Sequence, residues 1–396
     1  MKFQTSEIVK NRFQDMGLDP HLLTAIEKMQ ITKPTPVQAE AMPVALEGKD
    51  LIAVAQTGSG KTLVFALATL SVLAKTPDSR ALVLAPSREM AEQIFRVFAE
   101  LCAELPITSC LIMGGTPNAK QVSMLKKIPR LIVATPGRMK DHLMTNKLLL
   151  QKVAVVVIDE ADRMLDMGFA PQLETIRSTM RGERQTMMFS ASFSVGVEKI
   201  AKKFLQPSAF MIRANKAEEP VSGLKQKVLF IDRGQKKEQL LLELKAHRGS
   251  VIVFVGSQQA SEIVEQHLKE NSVKSAVIHG GLSQNSRKQA VANFREGVVR
   301  VLVTTDLLAR GLDIPDLEAV INFDLPFESE DFLHRIGRTA RAGRRGKAVT
   351  FVVSSDKHMY EKIKPYLVGA EEQSLVSDFS FAKKKYFAKN SVKAKR

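Results

Sequence analysis

The sequence has few cysteines, no long apolar segment and a deficit of acidic residues, and each shortage narrows the class of protein. Only Cys102 and Cys110 occur in 396 residues, and no histidine lies near them at metal-ligand spacing. This supports neither a disulfide framework nor a zinc site and favours a reducing compartment. No apolar run reaches roughly 18 residues, and residues 1–10 lack the apolar core of a secretory signal. The sequence therefore predicts a cytoplasmic protein without membrane association.

The shortage of acidic residues leaves the chain strongly basic. Asp and Glu total 42 against 58 Lys and Arg, which gives a net charge of +16. Such a charge favours a polyanionic partner such as nucleic acid, although a generically basic soluble protein would have the same balance. The segment 380–396 carries seven of the cations and no acid, with three aromatic residues between them. It is either an auxiliary nucleic-acid tether or a solvated tail.

Length and hydrophobic patterning predict two α/β domains. A chain of 396 residues exceeds one ordinary hydrophobic core. Short Val-, Ile- and Leu-rich runs alternate with helix-length segments, which is typical of doubly wound parallel sheets. The predicted strands are 51–55, 81–85, 131–134, 153–158 and 186–189, then 226–231, 250–255, 275–278, 299–304, 319–323 and 348–353. The predicted organisation is an N-terminal domain at 1–207, a flexible linker at 208–224, a C-terminal domain at 225–368 and a basic tail at 369–396.

A glycine-rich loop follows the first predicted strand. The segment Gln56-Thr57-Gly58-Ser59-Gly60-Lys61-Thr62 lies between that strand and an apolar helix at 63–73. This is the context of a P-loop, in which backbone N–H groups surround phosphates, Lys61 reaches the β and γ phosphates and Thr62 ligates Mg²⁺. The strict pattern has glycine where this chain has Ala55. The alternative is an ordinary glycine-rich turn.

An acidic tetrad, Asp159-Glu160-Ala161-Asp162, follows the predicted strand 153–158. Because the carboxyl ends of parallel strands face one crevice, Asp159 is expected beside the P-loop, where it can hold Mg²⁺. Glu160 can then orient and deprotonate the attacking water. The alternative is an acidic first turn of a helix, which Asp and Glu favour in any case.

Three further residues are candidates for nucleotide contacts. The amide of Gln38 presents one donor and one acceptor, which match adenine, although most glutamines lie on surfaces. Arg335 and Arg338 are three residues apart on one face of a helix or turn, and both can aim at one phosphate; a solvated basic helix is the alternative. If Arg335 and Arg338 contact a phosphate of ATP, both domains contribute to the ATP site, and ATP closes the two domains on each other.

These motifs, in this order over about residues 13–353, resemble the DEAD-box family of ATP-dependent RNA helicases, in the form of a minimal bacterial-type core with a short basic tail. The resemblance implies two tandem RecA-like domains and nucleotide contacts from the Q motif, motif I and motif V, namely Phe13, Gln38, Ala55, Gln56, Thr57, Gly58, Ser59, Gly60, Lys61, Thr62, Gly311 and Asp313. Lys61, Asp159, Glu160 and the arginine fingers Arg335 and Arg338 match its catalytic residues. Ser190, Ala191 and Ser192 match the motif that couples hydrolysis to unwinding. This chain departs from the usual pattern of the family at Ile31, Ser192 and Ala340, where an aromatic residue, Thr and Gly, respectively, are common.

The resemblance also implies which residues bind RNA. They match motif Ia, the glycine doublet and motif Ib in the first domain and three positions in the second, namely Arg88, Gly115, Thr135, Arg138, Gln284, Arg287 and Thr305. Amides, hydroxyls and guanidiniums suit phosphates and sugars, so binding is expected to be largely independent of sequence.

The expected function is therefore ATP-dependent unwinding of RNA duplexes by a monomer, with ATP and Mg²⁺ as cofactors. Ribosomal precursors and RNA-decay machinery are the candidate partners. Two alternatives stay open on the sequence: an ATP-gated RNA clamp whose unwinding is incidental, and a DNA-directed translocase.

Overall fold

The structure, a computed structural model of the chain, describes residues 3–5, 8–55, 58–103, 105–213, 223–306, 317–327, 329–340 and 345–376. The chain divides into two compact units, Met1–Ala217 and Glu218–Arg396. Gln56, Thr57, Gly311, Asp313, most of the predicted linker and the basic segment 380–396 lie outside the described residues. Among those described, no helix is both long and apolar enough to span a bilayer.

Unit 1 alternates strands and helices around one sheet. Its strands are β1 (Leu51–Val54), β2 (Arg80–Leu84), β3 (Ser109–Ile112), β4 (Leu131–Ala134), β5 (Val153–Ile158), β6 (Gln185–Ser190) and β7 (Phe210–Arg213). Its helices are α1 (Pro20–Lys28), α2 (Pro36–Leu46), α3 (Lys61–Lys75), α4 (Arg88–Leu101), α5 (Asn118–Lys126), α6 (Pro136–Thr145), α7 (Ala161–Asp166), α8 (Ala170–Thr179) and α9 (Val195–Phe204). The strands pair in the order β3-β4-β2-β5-β6-β1-β7, and all these pairings are parallel.

Unit 2 has the same construction. Its strands are β8 (Leu224–Phe230), β9 (Val251–Phe254), β10 (Ser275–Ile278), β11 (Val301–Thr304), β12 (Ala319–Asn322), β13 (Gly346–Val352) and β14 (Glu371–Ser374). The helices described are α10 (Lys236–Ala246), α11 (Gln258–Glu270), α12 (Gln284–Arg295), α13 (Ser329–Ile336) and α14 (Lys357–Ile363). The order β10-β11-β9-β12-β13-β8-β14 repeats that of unit 1 position by position, again with parallel pairings.

Both faces of each sheet are covered, which explains why the strands are apolar runs without alternation. In β1, Leu51 and Ala53 pack with α2, α3 and α4, whereas Ile52 points to the opposite face. That second face is covered by α6, α8 and α9. Because all the strands of a sheet are parallel, their carboxyl ends lie along one edge, where the loops that follow them carry the predicted site residues.

The fold class and the apolar strands agree with the sequence prediction, and the differences lie at the margins of the sheets. β3, β7 and β14 were not predicted, because each has only four residues and none is a continuous run of Val, Ile and Leu. β7 lies within the segment predicted as linker, since Phe210–Arg213 pairs with β1. β14 lies within the predicted basic tail and pairs with β8.

Candidate functional site

The P-loop of unit 1 lies between β1 and the first turn of α3. Gly60 precedes the helix with φ +94°, a left-handed conformation that glycine adopts without strain. Lys61 is buried, and its Nζ donates to the Ala55 carbonyl at 2.5 Å. The hydroxyl of Ser59 is buried without a hydrogen-bond partner in the described part of the chain, so it has an unused donor for a phosphate oxygen. Thr62 follows in the first turn of α3.

The start of α2 is bonded to this loop. The side chains of Thr35 and Gln38 cap the helix, and Gln38 Oε1 accepts from the Thr35 amide at 2.9 Å. Gln38 Nε2 donates to the Gly60 carbonyl at 3.0 Å, and Thr35 Oγ1 donates to the Ser59 carbonyl at 2.7 Å. The amide that was predicted to read adenine thus also links α2 to the P-loop.

Phe13, the other predicted residue of the Q motif, lies in a 3₁₀ turn at Phe13–Met16 and is 2% exposed. Its ring packs in the core with Leu18 and Leu22. A stacking contact between Phe13 and a base therefore requires the ring to be uncovered first, and its role toward ATP stays a prediction.

Asp159 lies directly after β5, and its carboxyl is buried. Burial raises the pKa of Asp159 to about 7, an effect that the nearby Lys61 ammonium opposes and the neighbouring Glu160 reinforces. A buried carboxylate with incomplete charge compensation suits a divalent cation, and Mg²⁺ needs only one or two carboxylates beside water and phosphate oxygens. Among the residues described, no cluster of three His, Cys, Asp or Glu side chains could hold a metal alone. The Asp159 carboxyl and the Thr62 hydroxyl are both oxygen ligands of a kind that Mg²⁺ accepts, and their role in holding it stays a prediction.

Glu160 occupies a strained position immediately before α7. Its backbone has φ +49° and ψ +56°, which is uncommon for a residue with a Cβ and is often found at functional sites. The side chain is 5% exposed and pairs with the Arg163 guanidinium at 3.2 Å. Arg163 was not singled out in the sequence, although its i+3 spacing from Glu160 at a helix start is a usable signal.

Asp162 connects the acidic tetrad to the segment after β6. Its Oδ2 accepts hydrogen bonds from the Ala191 amide at 3.0 Å, the Ser192 amide at 2.9 Å and the Ser192 hydroxyl at 3.2 Å. The Asp162 amide donates in turn to Ser190 Oγ at 3.3 Å. Two motifs that are 28 to 30 residues apart are thereby joined through one carboxylate.

The predicted RNA residues of unit 1 lie at the same carboxyl edge, after β2, β3 and β4. Arg88 starts α4 and lies against the glycine doublet that follows β3; a Cβ on Gly115 would lie 2.5 Å from Arg88 Nη1. Arg138 Nη1 donates to the Thr116 carbonyl at 3.1 Å. Thr135 is the N-cap of α6 and is buried, with its amide bonded to the Ile112 carbonyl. The structure thus brings these residues together around one loop.

Gln121 supports that loop and was missed in the sequence. Its Nε2 donates to the carbonyls of Met113 and Thr116 at 2.9 and 3.1 Å. No spacing or motif pointed to Gln121, because its partners lie in an irregular segment.

In unit 2, Gln284 starts α12, and Arg287 Nη2 donates to the Gly280 carbonyl at 2.6 Å. Thr305 directly follows β11. These positions share the carboxyl edge of the second sheet, and their RNA contacts stay predictions.

The two predicted arginine fingers differ from the prediction in their surroundings. Arg335 is 1% exposed, and its guanidinium pairs with both oxygens of Asp306. It also donates to the Asp324 carbonyl at 2.5 Å and lies 4.9 Å from the centre of the Phe254 ring. Arg335 is thus engaged within unit 2 and holds Asp306, and its role as an arginine finger stays a prediction. Arg338 follows the end of α13 and is also buried, so its finger role stays a prediction.

Comparison with known proteins shows which family the chain belongs to. Residues 35–200 match the family described as DEAD/DEAH box helicase, and residues 235–343 match the helicase conserved C-terminal domain. The chain is 41% identical over 362 residues to the ATP-dependent rRNA helicase RRP3 of Gibberella zeae, covering 90% of this chain and 74% of that protein.

The chain is also similar in structure to solved proteins that are bound to RNA and a nucleotide. The S. cerevisiae protein Dbp5 bound to RNA and ADP BeF3 has a TM-score of 0.82 and 34% identity, over 92% of this chain and 96% of that one. Mss116p bound to ssRNA and AMP-PNP has a TM-score of 0.83 and 26% identity, over 96% and 83% of the two chains.

Proposed function

Because the chain belongs to the DEAD/DEAH box helicase family, and is an ATP-dependent RNA helicase with two tandem RecA-like domains, we propose how its residues bind and hydrolyse ATP. The P-loop backbone and Lys61 hold the phosphates at the positive end of α3. In the structure Lys61 is bonded to Ala55, so nucleotide binding exchanges that carbonyl for a phosphate oxygen. The free hydroxyl of Ser59 supports the same assignment.

We propose Thr62 and Asp159 as the residues that would hold Mg²⁺. When bound, Mg²⁺ neutralises charge on the β and γ phosphates. Asp159 supports this role because its carboxyl is buried directly after β5, near the Lys61 ammonium.

Glu160 is the proposed residue that orients the attacking water and accepts its proton. Its left-handed backbone directs the carboxylate away from a regular helical path, and Arg163 fixes the side chain. A carboxylate held in this way can accept a proton from water, which is the chemistry of a general base.

The observation that carries the proposed coupling is the set of hydrogen bonds from Asp162 to residues 190–192. A movement of the acidic tetrad during hydrolysis would therefore be passed to the end of β6 directly through these hydrogen bonds, with no other side chain between them. We propose that this link connects ATP turnover to the RNA-binding edge of unit 1.

Ribosomal RNA precursors are the substrate that we propose. Curated relatives with about 40% identity over 89% or more of the chain carry the name ATP-dependent rRNA helicase, which supports that choice. The RNA-facing guanidiniums and amides favour backbone over base contacts, so selection of a particular RNA is expected to depend on partners. A monomeric state and a cytoplasmic location stay predictions.

Replacement of Glu160 with Gln tests the proposed mechanism. The variant keeps the size of the side chain but removes its ability to accept a proton, so we expect RNA-stimulated turnover to fall by at least about a hundredfold while ATP and RNA still bind. ATP binding is measured with a fluorescent analogue and turnover by phosphate release. Lys61→Ala is the matched control, in which nucleotide binding itself should weaken. Undiminished turnover in Glu160→Gln would contradict the water-orienting role, and equal stimulation by RNA and DNA of one sequence would contradict the preference for RNA.

A further inference from the structure

A groove between α6 and α8 lies outside the nucleotide and RNA positions of unit 1. Its cavity measures about 370 Å³, within the range of small binding sites. Its lining combines apolar, hydroxyl, amide and cationic side chains, namely Leu143, Met144, Lys147, Leu148, Gln151, Thr175, Ser178, Thr179 and Arg181. None of these residues has a role in the mechanism above.

The chain path places this groove at the edge of the sheet opposite the nucleotide site. α6 starts at the carboxyl end of β4 and runs back along the sheet, so Met144 lies about 12 Å from the start of the helix. α8 leads into β6, and its C-terminal end therefore lies at the amino end of that strand. Residues 143–151 and 175–181 consequently meet at the amino edge, whereas Asp159, Ser190 and Thr135 follow carboxyl ends of strands.

The apolar part of the groove is unusually accessible. Met144 and Leu148 are 65% and 64% exposed, although both belong to the largest apolar residue types. Leu143, which directly precedes Met144, is buried and forms part of the core. Neighbouring exposed apolar side chains around a cavity are typical of protein interaction surfaces.

The polar part of the groove is cationic. Lys147 and Arg181 are exposed, and neither forms an ion pair with a residue in the described ranges. No carboxylate lines the cavity, and the acid on α8, Glu174, is already paired with Arg177 and Lys203. The surface is thus apolar with two uncompensated positive charges.

We propose that this groove docks an acidic, amphipathic segment of a partner protein. The exposed Met144 and Leu148 receive its apolar side chains, and Lys147 and Arg181 pair with its carboxylates, in the manner of a helix in a groove. A second copy of this chain is disfavoured by its net charge of +16, and the chain's own segment 380–396 by its seven cations. RNA is disfavoured because aliphatic side chains offer no stacking surface and the groove is at the edge opposite the RNA residues.

Selection from a library of random peptides tests the proposal without knowledge of the partner. Phage-displayed peptides of about 16 residues, enough for four helical turns, are selected on the full chain with RNA homopolymer present to occupy the RNA-binding residues. We expect enriched peptides with net negative charge and apolar residues at i and i+3 or i+4. The best peptide is then labelled with fluorescein and titrated by anisotropy against the protein and its variants.

Two double variants separate the apolar and charge contributions. Met144→Ser with Leu148→Ser, and Lys147→Glu with Arg181→Glu, should each weaken peptide binding at least about tenfold. Val298→Ser and Lys245→Glu, at exposed positions of unit 2, should leave binding unchanged. RNA-stimulated ATPase activity should be normal in all of them, which confirms folding.

Three outcomes overturn the proposal. The first is that the selection enriches basic or uncharged peptides, or enriches no peptide at all. The second is that the peptide binds the wild-type protein and both double variants equally well. The third is that RNA displaces the bound peptide. The last outcome would assign the groove to nucleic acid instead.

Discussion

Ser192 illustrates how a small difference at one residue bears on coupling. Its hydroxyl is one of three donors to Asp162 Oδ2, and the sequence has Ser where Thr is usual in this family. Both residue types offer the same donor, so the network requires the hydroxyl and not the methyl group.

We predict that Ser192→Ala lowers RNA strand displacement about threefold to tenfold while RNA-stimulated ATPase activity changes little. The replacement removes one hydrogen bond to a buried carboxylate, worth roughly 1 kcal/mol, but leaves the two backbone donors in place. Displacement of a short duplex and phosphate release are measured on the same samples. Ser192→Thr is the matched control and should retain both activities. A parallel loss of both activities in Ser192→Ala would place the hydroxyl in hydrolysis rather than in coupling.

Ala340 is a second residue at which this chain departs from the usual pattern, and the structure shows the consequence. Its backbone has φ +58°, a left-handed conformation that costs a residue with a Cβ about 1 kcal/mol. Gly346 packs directly against it, since a Cβ on Gly346 would lie 2.4 Å from the Ala340 nitrogen. Of these two residues in close contact, one is a glycine and the other is an alanine in a strained backbone conformation.

Ala340→Gly should consequently stabilise unit 2 by up to about 1 kcal/mol, because it removes this strain. Hydrogen exchange of the β13 amides in the full chain reports the change as slower exchange. Ala292→Gly, within α12, is the control and should speed exchange in that helix, since glycine is unfavourable in a helix interior. Faster exchange in β13 of Ala340→Gly would show that the alanine conformation carries no strain.

Arg335 shows what the sequence could not predict at the scale of residues. Its spacing from Arg338 is visible in the sequence, but its partners Asp306, Asn322 and Asp324 precede it by 11 to 29 residues. Only the sheet brings them to one guanidinium, because β11 and β12 both pair with β9 and end at the same edge. The positions of Lys61, Asp159 and Glu160 in the fold were predictable, because the P-loop and the acidic tetrad are contiguous in the chain and follow buried strands.

At the scale of elements, α2 is docked on the P-loop through its first turn. Thr35 and Gln38 satisfy the start of the helix and also bond the carbonyls of Ser59 and Gly60. A position that the sequence favoured as a base reader is therefore also a support of the phosphate loop.

This contact predicts that Gln38→Ala weakens binding of tripolyphosphate, which has no base, as well as binding of ATP. Loss of the bond to Gly60 removes roughly 1 kcal/mol of support from the loop, so both affinities should fall about fivefold. Calorimetric titration with Mg²⁺ present gives the two dissociation constants. Thr35→Ser, which retains the hydroxyl, is the control and should leave both unchanged. If only the ATP affinity falls, Gln38 acts on adenine alone.

The elements that sequence reasoning predicted are those whose pattern is dictated by burial. Strands such as β5 have six apolar residues in succession and are buried on both faces. Their sequence pattern therefore predicts a buried strand directly. The strand β14, by contrast, has the sequence Glu-Glu-Gln-Ser and is mostly exposed, so it forms through pairing with β8 rather than through its own composition. A strand at the margin of a sheet forms in this way through pairing with its neighbouring strand, and the local sequence pattern does not predict it.

At the scale of the whole molecule, one strand order is used twice, and the two units also share local detail. A serine N-cap starts both α4 and α11, through Ser87 and Ser257, and a glycine doublet follows both β3 and β10. The position of Arg88 against the first doublet corresponds to Gln258 against the second. Two sheets with equivalent carboxyl edges explain why the predicted RNA residues occur in both halves of the chain.

The charge of the molecule adds a separate contribution, because seven of its +16 charges belong to the segment 380–396. If these cations pair with phosphates, deletion of the segment should weaken RNA binding and lower the slope of log affinity against log salt by up to about 5 for single strands. Fluorescence anisotropy over a salt series measures both quantities. Replacing Phe381, Tyr386 and Phe387 with Ser is the matched control, since it retains every cation: affinity should fall through loss of stacking while the slope stays constant. An unchanged slope after the deletion would instead mean that the segment is a solvated tail and that the RNA-binding charge lies entirely within the two units.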